Sequence, residues 1–307
     1  MVKKPNSMDK YLVVICGPTA IGKTEIAIDI AKPFKTEIIS ADARQFYIEM
    51  NIGTAKPSIQ QLEKVKHHFI NSLSITEDYN AGQFEMDALK VLKDLFQHHN
   101  LAVMVGGSGF YINTVCYGID DLPSSDAIIR KDLIHEFESN GLPLLLQELK
   151  QADSVYYNEV DLANPHRIIR ALEVYRITGM PYSSFLNKPK KERPFKVIKI
   201  GLDIDRKELY NRINKRVDSM IEAGLEREVK SLLSFRNTNA LNTVGYSEWF
   251  NYFEGKIPLE RVIELIKQNS RHYAKRQLTW FGRATEIKWF KPEQTEDILD
   301  YLKRIIK

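Results

Sequence analysis

The turn Gly17-Pro18-Thr19-Ala20-Ile21-Gly22-Lys23-Thr24 constrains the fold more than any other stretch of this chain. Two glycines with four residues between them, followed by a lysine and a hydroxyl residue, form the pattern of a phosphate-binding loop. A loop closing around a phosphate chain must turn its backbone N–H groups inward, which glycine permits without steric cost. Lys23 would place a point charge on the phosphate oxygens. Thr24 would offer its hydroxyl to a magnesium ion, and a helix opening near Gly22 would aim its positive end at the anion. The flanks agree: Tyr11 to Cys16 is an apolar run of strand length, and Ile26, Ala27, Ile30 and Ala31 recur at helical spacing. Strand, loop and helix in this order predict an α/β fold with a parallel sheet, and pyrophosphate is the natural ligand of such a loop.

The rest of the composition sets bounds. A length of 307 residues suggests two domains and a substantial core. The net charge of +4 is too small for nucleic-acid binding to be read from the total, so it must be sought in where the cations lie. Two cysteines, Cys16 and Cys116, make no disulfide framework and are expected to pack in the core of a protein kept in a reducing compartment. No apolar run reaches signal-peptide or membrane-span length, so a cytoplasmic protein is expected, and the lack of an oligomerisation seam leans towards a monomer.

Residues 36–40 read as a second strand that ends in Ala41-Asp42-Ala43-Arg44-Gln45. Ligands of an open parallel sheet gather at the carboxyl ends of its strands. Asp42 is therefore placed for chemistry, although an Asp at a strand end also caps turns. Residues 101–105 form another buried strand, followed by Gly106-Gly107-Ser108-Gly109. Phosphate-loop ATPases usually end this strand in an Asp that helps hold magnesium. Its replacement by glycine counts against routine ATP hydrolysis and leaves Asp42 as the best-placed acid, with Ser108 as a nearby hydroxyl. The pairs His67-His68 and His98-His99 are not read as metal sites, because adjacent residues share no face and no further ligand stands at zinc-like spacing.

From residue 120 to 194 the strand pattern vanishes. Helices are expected over 128–138, 142–151 and 165–178, which makes this stretch an all-helical insertion in an α/β core of residues 1–119 and 195–307. On the third helix Arg167 and Arg170 share a face, with Arg176 further along: a solvated basic face or a nucleic-acid contact. Residues 188–194 form a basic, Pro-punctuated connection, and a strand resumes over 195–203. A long helix over 259–281 interleaves Arg271, Lys275 and Arg276 with Tyr273, Trp280 and Phe281 in its second half. Such a pattern suits a binder of unpaired RNA, and equally a helix with aromatics inward and cations outward.

Seven stretches together resemble the tRNA dimethylallyltransferases, also called tRNA isopentenyltransferases: Gly17 to Thr24, Ser40 to Gln45, Gly53 to Pro57, Gly106 to Gly109, Asn164 to Val174, Gly245 to Glu248 and Ala274 to Phe281. They span nearly the whole chain in the family's order. The resemblance implies a phosphate-loop α/β core with a helical insertion that clasps a tRNA anticodon stem-loop. It implies transfer of a dimethylallyl group from dimethylallyl diphosphate to the exocyclic amine of the adenosine 3′ of the anticodon, releasing diphosphate with Mg2+ present. ATP is not required, since the loop would hold the donor's leaving group. By the same resemblance Gly17, Pro18, Thr19, Ala20, Ile21, Gly22, Lys23 and Thr24 grip the diphosphate, with Thr24 on the metal. Asp42 is the general base, Ser108 bonds near the amine, and Lys23 and Arg130 offset charge on the leaving diphosphate. Asp42, Ala43, Arg44, Gln45, Ser108, Arg130, His166, Arg167, Ile168, Ile169 and Arg170 are the implied tRNA contacts. The chain departs from the common pattern at Ala43, where Ser is usual, at Ser108 for Thr, at Asn71 for Asp, and at His166 and His272 for Gln. Three other readings remain: a prenyltransferase on free adenine nucleotides, a phosphate-loop kinase of a small molecule, and a non-catalytic RNA-binding module.

Overall fold

In the computed structural model, which describes residues 9–186 and 190–306, the first apolar run becomes strand β1 (Tyr11–Cys16), with all six residues buried. The polar terminus up to residue 8 and residues 188–189 of the basic connection lie outside the described residues. Alternate side chains of β1 enter two different cores, Val13 and Ile15 one, Leu12, Val14 and Cys16 the other. A strand covered on both faces has no polar side, which is why it reads as an unbroken apolar run.

Next come α1 (Lys23–Ala31), β2 (Ile38–Ser40), α2 (Ile59–Lys64), β3 (His67–His68), α3 (Ala81–His98), β4 (Leu101–Gly106) and α4 (Gly109–Tyr117). Helix α3 starts at a capping box, in which the Asn80 side chain accepts from Gly82 and Gln83 N–H while Gln83 returns a bond to the Asn80 N–H. Four helices follow in the next stretch, α5 (Ala127–Asn140), α6 (Leu142–Ala152), α7 (Ser154–Glu159) and α8 (Pro165–Thr178). The chain then forms β5 (Lys196–Leu202), α9 (Arg206–Glu222), α10 (Leu225–Ser231), α11 (Glu248–Phe253), α12 (Leu259–Phe281), β6 (Ile287–Phe290) and α13 (Thr295–Ile305). The backbone divides into two compact units, Met1–Tyr117 with Glu192–Lys307, and Gly118–Lys191.

The first unit is built on one parallel sheet in the order β3-β2-β4-β1-β5-β6. Helices α1, α9 and α13 cover one face of it, α3 and α4 the other. From β1 the chain moves outward to β2 on one side and later adds β5 on the other, so β1 stands at the point where strand order reverses. In open α/β sheets that crevice is where ligands bind. The segments leaving β1, β4 and β2 are the phosphate loop, Gly107-Ser108 and Ala41-Asp42, and they emerge side by side. A third core, containing Val217, Leu225, Val229, Tyr246, Trp249 and Ile266, fastens α9 to α12.

The helical unit has its own core of Leu133, Leu145, Leu149, Ile168 and Leu172. Its charges correct the picture of a solvated basic face on α8. The Glu173 carboxylate, completely buried, accepts from Arg130 at 3.1 Å, Arg170 at 2.8 Å, the Ser125 hydroxyl and the Asp126 N–H. Arg176 bridges Glu136 at 2.8 Å and Glu148 at 2.6 Å, joining α8 to α5 and α6. Of the three α8 arginines, only Arg167 is exposed.

Candidate active site

The phosphate loop takes backbone conformations that its glycines make possible. Gly17 has φ +147° and Gly22 φ +99°, both on the positive side that side chains disfavour, and Ala20 sits at φ 63°. A Cβ on Gly17 would also stand 2.8 Å from the Leu202 carbonyl oxygen of β5. Gly106 and Gly107 serve close approach instead. A Cβ would lie 2.2 Å from the Ala41 oxygen in the first case and 2.2 Å from Gln277 Nε2 in the second. Gln277 of α12 stitches the two glycine loops together: its Oε1 accepts from the Thr19 N–H at 2.9 Å and its Nε2 donates to the Gly107 oxygen at 2.9 Å.

Two cavities meet at this place. One, of about 290 Å³, is lined by Ile21 to Thr24 with Ser40, Gln45 and Gly106. The other, of about 280 Å³, is lined by Ser108, Tyr273 and Ser270, by the loop residues Gly53, Thr54 and Thr243 to Gly245, and by apolar Ile213, Val217, Met220 and Ile266. Thr19, Ala20, Asp42 and Arg216 line both and form the neck between them.

The electrostatics differ on the two sides. In the loop cavity, Lys23 Nζ donates to the Pro18 oxygen at 2.8 Å, and burial, partly offset by Asp42, pushes its pKa down to about 8. Arg216 donates from Nη1 to Thr19 Oγ1 at 3.1 Å, and burial lowers its pKa as well. Two cations held against one loop at the N-terminus of α1 disfavour each other and favour a multiply charged anion. At the neck, Asp42 fills both roles the sequence leaves open. Its Oδ1 accepts from the Arg44 N–H at 3.1 Å and so caps the turn, while Oδ2 has no hydrogen bond among the described residues and its side chain borders both cavities. Ser108 Oγ accepts from the Ala43 N–H at 3.3 Å and lines the inner cavity together with Tyr273. Burial and nearby Asp42 push Tyr273 up to about 12, which keeps its phenol neutral at ordinary pH.

The structure thus brings together Gly17 to Thr24, Asp42 to Gln45 and Ser108. Gln45 is engaged within the fold, where its amide donates to the Thr54 and Ala55 oxygens and accepts from Ser40. Arg44 reaches the Asn242 oxygen at 3.4 Å. Arg130 and His166 to Arg170 belong to the helical unit, where Ile168 and Ile169 point into the core and His166 and Arg167 are exposed. Sequence reasoning passed over Arg216, Gln277 and the Val217–Met220 wall. Helix α9 carries Arg206, Lys207, Arg212, Lys215 and Arg216, and nothing local separates the one that faces the loop from the others. Tyr273 was legible only as one aromatic of a basic helix, yet it lines the inner cavity. The exposed side of that helix turns His272, Lys275, Arg276, Thr279 and Trp280 to an open cleft that Arg283, just past its end, also lines.

A diphosphate fits the loop side, where Lys23, Arg216 and the N-terminus of α1 line one cavity. Magnesium fits too, since the Thr24 hydroxyl lines the same cavity as Asp42, and Mg2+ characteristically takes a few protein oxygens alongside phosphate and water.

Comparison with known proteins agrees with this arrangement. The sequence model described as IPP transferase matches residues 45–284. A protein of Christiangramia forsetii named tRNA dimethylallyltransferase is 52% identical, over 96% of this chain and 98% of its own. A Bacteroides fragilis protein named tRNA dimethylallyltransferase 1 is 50% identical over 97% of this chain and 99% of its own. Among solved structures, the tRNA isopentenylpyrophosphate transferase of Bacillus halodurans superposes with a TM-score of 0.71 at 33% identity, covering 97% of each chain. A eukaryotic dimethylallyltransferase acting on tRNA shares the fold at TM-score 0.78 and 24% identity, over 96% of this chain and 78% of its own. With glycine loops, acid and hydroxyl assembled at one switch point and relatives matching end to end, this chain belongs to the IPP transferase family.

Proposed function

We infer that this chain is a tRNA prenyltransferase that moves a dimethylallyl group from dimethylallyl diphosphate to the exocyclic N6 amine of an adenosine, the one 3′ of the anticodon. The observation that carries the reading is the neck: the diphosphate-binding cavity opens, past Thr19, Ala20, Asp42 and Arg216, into a second cavity with an apolar wall. A donor anchored by its diphosphate presents its reacting carbon at Asp42, with its tail among the apolar residues. In the transfer, the donor's C–O bond breaks and its electrons leave with diphosphate. The amine's lone pair forms the C–N bond, and an amine proton passes to Asp42. A positioned carboxylate helps because the arylamine is a poor nucleophile until that proton goes. Lys23 and Arg216 offset the charge that grows on the leaving oxygens, the larger electrostatic task. Ser108 and Tyr273 supply hydroxyls that orient the amine. A magnesium ion held by Thr24 would bind the diphosphate oxygens and further neutralise them.

The acceptor is a base in a loop, and a loose loop base costs least to extrude into a pocket. Support for RNA contact comes from exposed His166 and Arg167 in the helical unit and, separately, from the basic cleft around Trp280 on α12. Among the described residues no helix is long and apolar enough to cross a membrane. A monomer in the cytoplasm, where tRNA is found, is the form proposed. The test is competition: labelled donor, magnesium, and an anticodon stem-loop against excess AMP. Transfer to RNA undisturbed by AMP supports this reading; transfer to AMP would reassign it to free nucleotides, and ATP consumption with a small acceptor would make it a kinase.

A further inference from the structure

We propose that Met220 sets the length of prenyl chain that the donor site accepts, by closing the catalytic cavity off from an apolar groove beyond it. The inference rests on the donor reading above. Helix α9 turns Ile213, Arg216, Val217 and Met220 to one side, at the i, i+3, i+4, i+7 spacing of a single helical face. All four line the cavity that holds Asp42. Arg216 touches the phosphate loop through Thr19, so a donor with its diphosphate on that loop lays its carbons along the same face, towards Met220.

Behind this face runs a groove of about 480 Å³ walled by apolar residues that include Ile52, Ala55, Pro57, Leu62 and Ile70. Arg216 and Met220 are the only described residues that line both spaces. Arg216 belongs to the diphosphate end. The part of the partition that faces the tail is therefore the thioether arm of Met220, a flexible, unbranched filler that packs against the α9–α12 core. The opposite side of the seam is fixed: the Glu228 carboxylate of α10 accepts from the N–H groups of Asn51, Ile52 and Gly53 at 3.1, 2.8 and 3.1 Å. That loop cannot readily fall inward when the arm is removed. A dimethylallyl tail stops short of the partition, whereas a geranyl tail, one isoprene unit longer, runs into it.

The test compares the unsubstituted chain with Met220→Ala, Met220→Val and Met220→Phe, using labelled dimethylallyl and geranyl diphosphates and an anticodon stem-loop. The readout is the ratio of kcat/KM for the two donors, which a general loss of activity does not move. Either shortened variant should raise the geranyl-to-dimethylallyl ratio by about tenfold or more, the scale on which hydrophobic pockets discriminate single carbon units. Met220→Phe should raise KM for dimethylallyl diphosphate and leave geranyl transfer at background. An unchanged ratio in a shortened variant that still transfers dimethylallyl overturns the role of Met220 alone. Failure of the unsubstituted chain to transfer dimethylallyl overturns the donor reading, and this inference with it.

Discussion

At the scale of single residues, Lys23 should govern the pH dependence of donor use. Its cation is the form that meets a diphosphate, and burial has lowered its pKa from the ordinary 10.5 to about 8. The kcat/KM for dimethylallyl diphosphate, which reports the free enzyme, should therefore fall as pH rises through about 8. Bound diphosphate favours the cation, so the limb in kcat should lie higher; a kcat/KM flat across this range contradicts the assignment. For stability the sign is opposite. A lysine whose folded pKa is depressed costs stability while charged, in full below the folded value, and the cost is relieved as pH rises from about 8 towards 10.5. Asp42→Asn keeps the turn-capping oxygen and removes the base. It should lower kcat by about 10²–10⁴ with RNA affinity nearly unchanged in a filter-binding titration, and an unaltered kcat removes Asp42 as the base. Lys23, Asp42 and Ser108 were legible in the sequence because glycine spacing and strand ends are local signals. Arg216 and Gln277 were not, because their roles exist only once α9 and α12 are packed against the loop.

Elements hold the site open through two carboxylates, half-buried Glu228 and buried Glu248. Glu228, besides gripping the three N–H groups of residues 51–53, accepts from the Tyr246 hydroxyl at 2.6 Å. Glu248 accepts from the Gly245 N–H at 2.9 Å and from Asn269 Nδ2 at 2.8 Å. The two loops that wall the inner cavity are thus each fixed by a carboxylate, and Tyr246 ties them together, its ring lying where a Cβ on Gly53 would be. Tyr246→Phe removes one hydrogen bond to an ionised group in a buried setting and should cost about 1.5–3 kcal/mol in denaturant unfolding. A loss below about 0.5 kcal/mol would show that the clamp is not taut. In the helical unit, Glu173→Ala leaves two guanidiniums without their carboxylate and should cost about 3–5 kcal/mol by the same measurement. Long periodic helices were readable from sequence, and α8 and α12 run over the residues that their pattern marks. Strand β3 is only His67-His68 and β6 only four residues, too short for period to reveal them, whereas α13 carries Ile298, Tyr301, Leu302 and Ile305 at helical spacing and is readable from period alone. The α8 arginines mislead for a related reason: sequence shows charge and spacing, whereas their carboxylate partners lie 3 to 40 residues away.

At the scale of the whole molecule, the sheet order decides where chemistry can happen. Because β1 stands at the switch between β4 and β5, the phosphate loop, Asp42 and Ser108 share one crevice though they are far apart in sequence. The parallel α/β class was legible from three apolar strands separated by amphipathic helices, while the strand order needed the structure. With a net charge of +4 spread over the chain, RNA affinity must come from local clusters. Arg167→Ala and Arg276→Ala should each weaken stem-loop binding and reduce the slope of log affinity against log salt by about one phosphate contact. An unchanged slope would leave that side chain merely solvated. One crevice is proposed to join a diphosphate-held donor to an adenosine amine. Mass analysis of the nucleosides of an anticodon stem-loop, after incubation with the protein, magnesium and dimethylallyl diphosphate, tests it most directly. A dimethylallyl increment on adenosine with the prenyl donor, and none with ATP in its place, is the predicted result. An unmodified RNA with ATP consumed in the parallel reaction would make the crevice a kinase site instead.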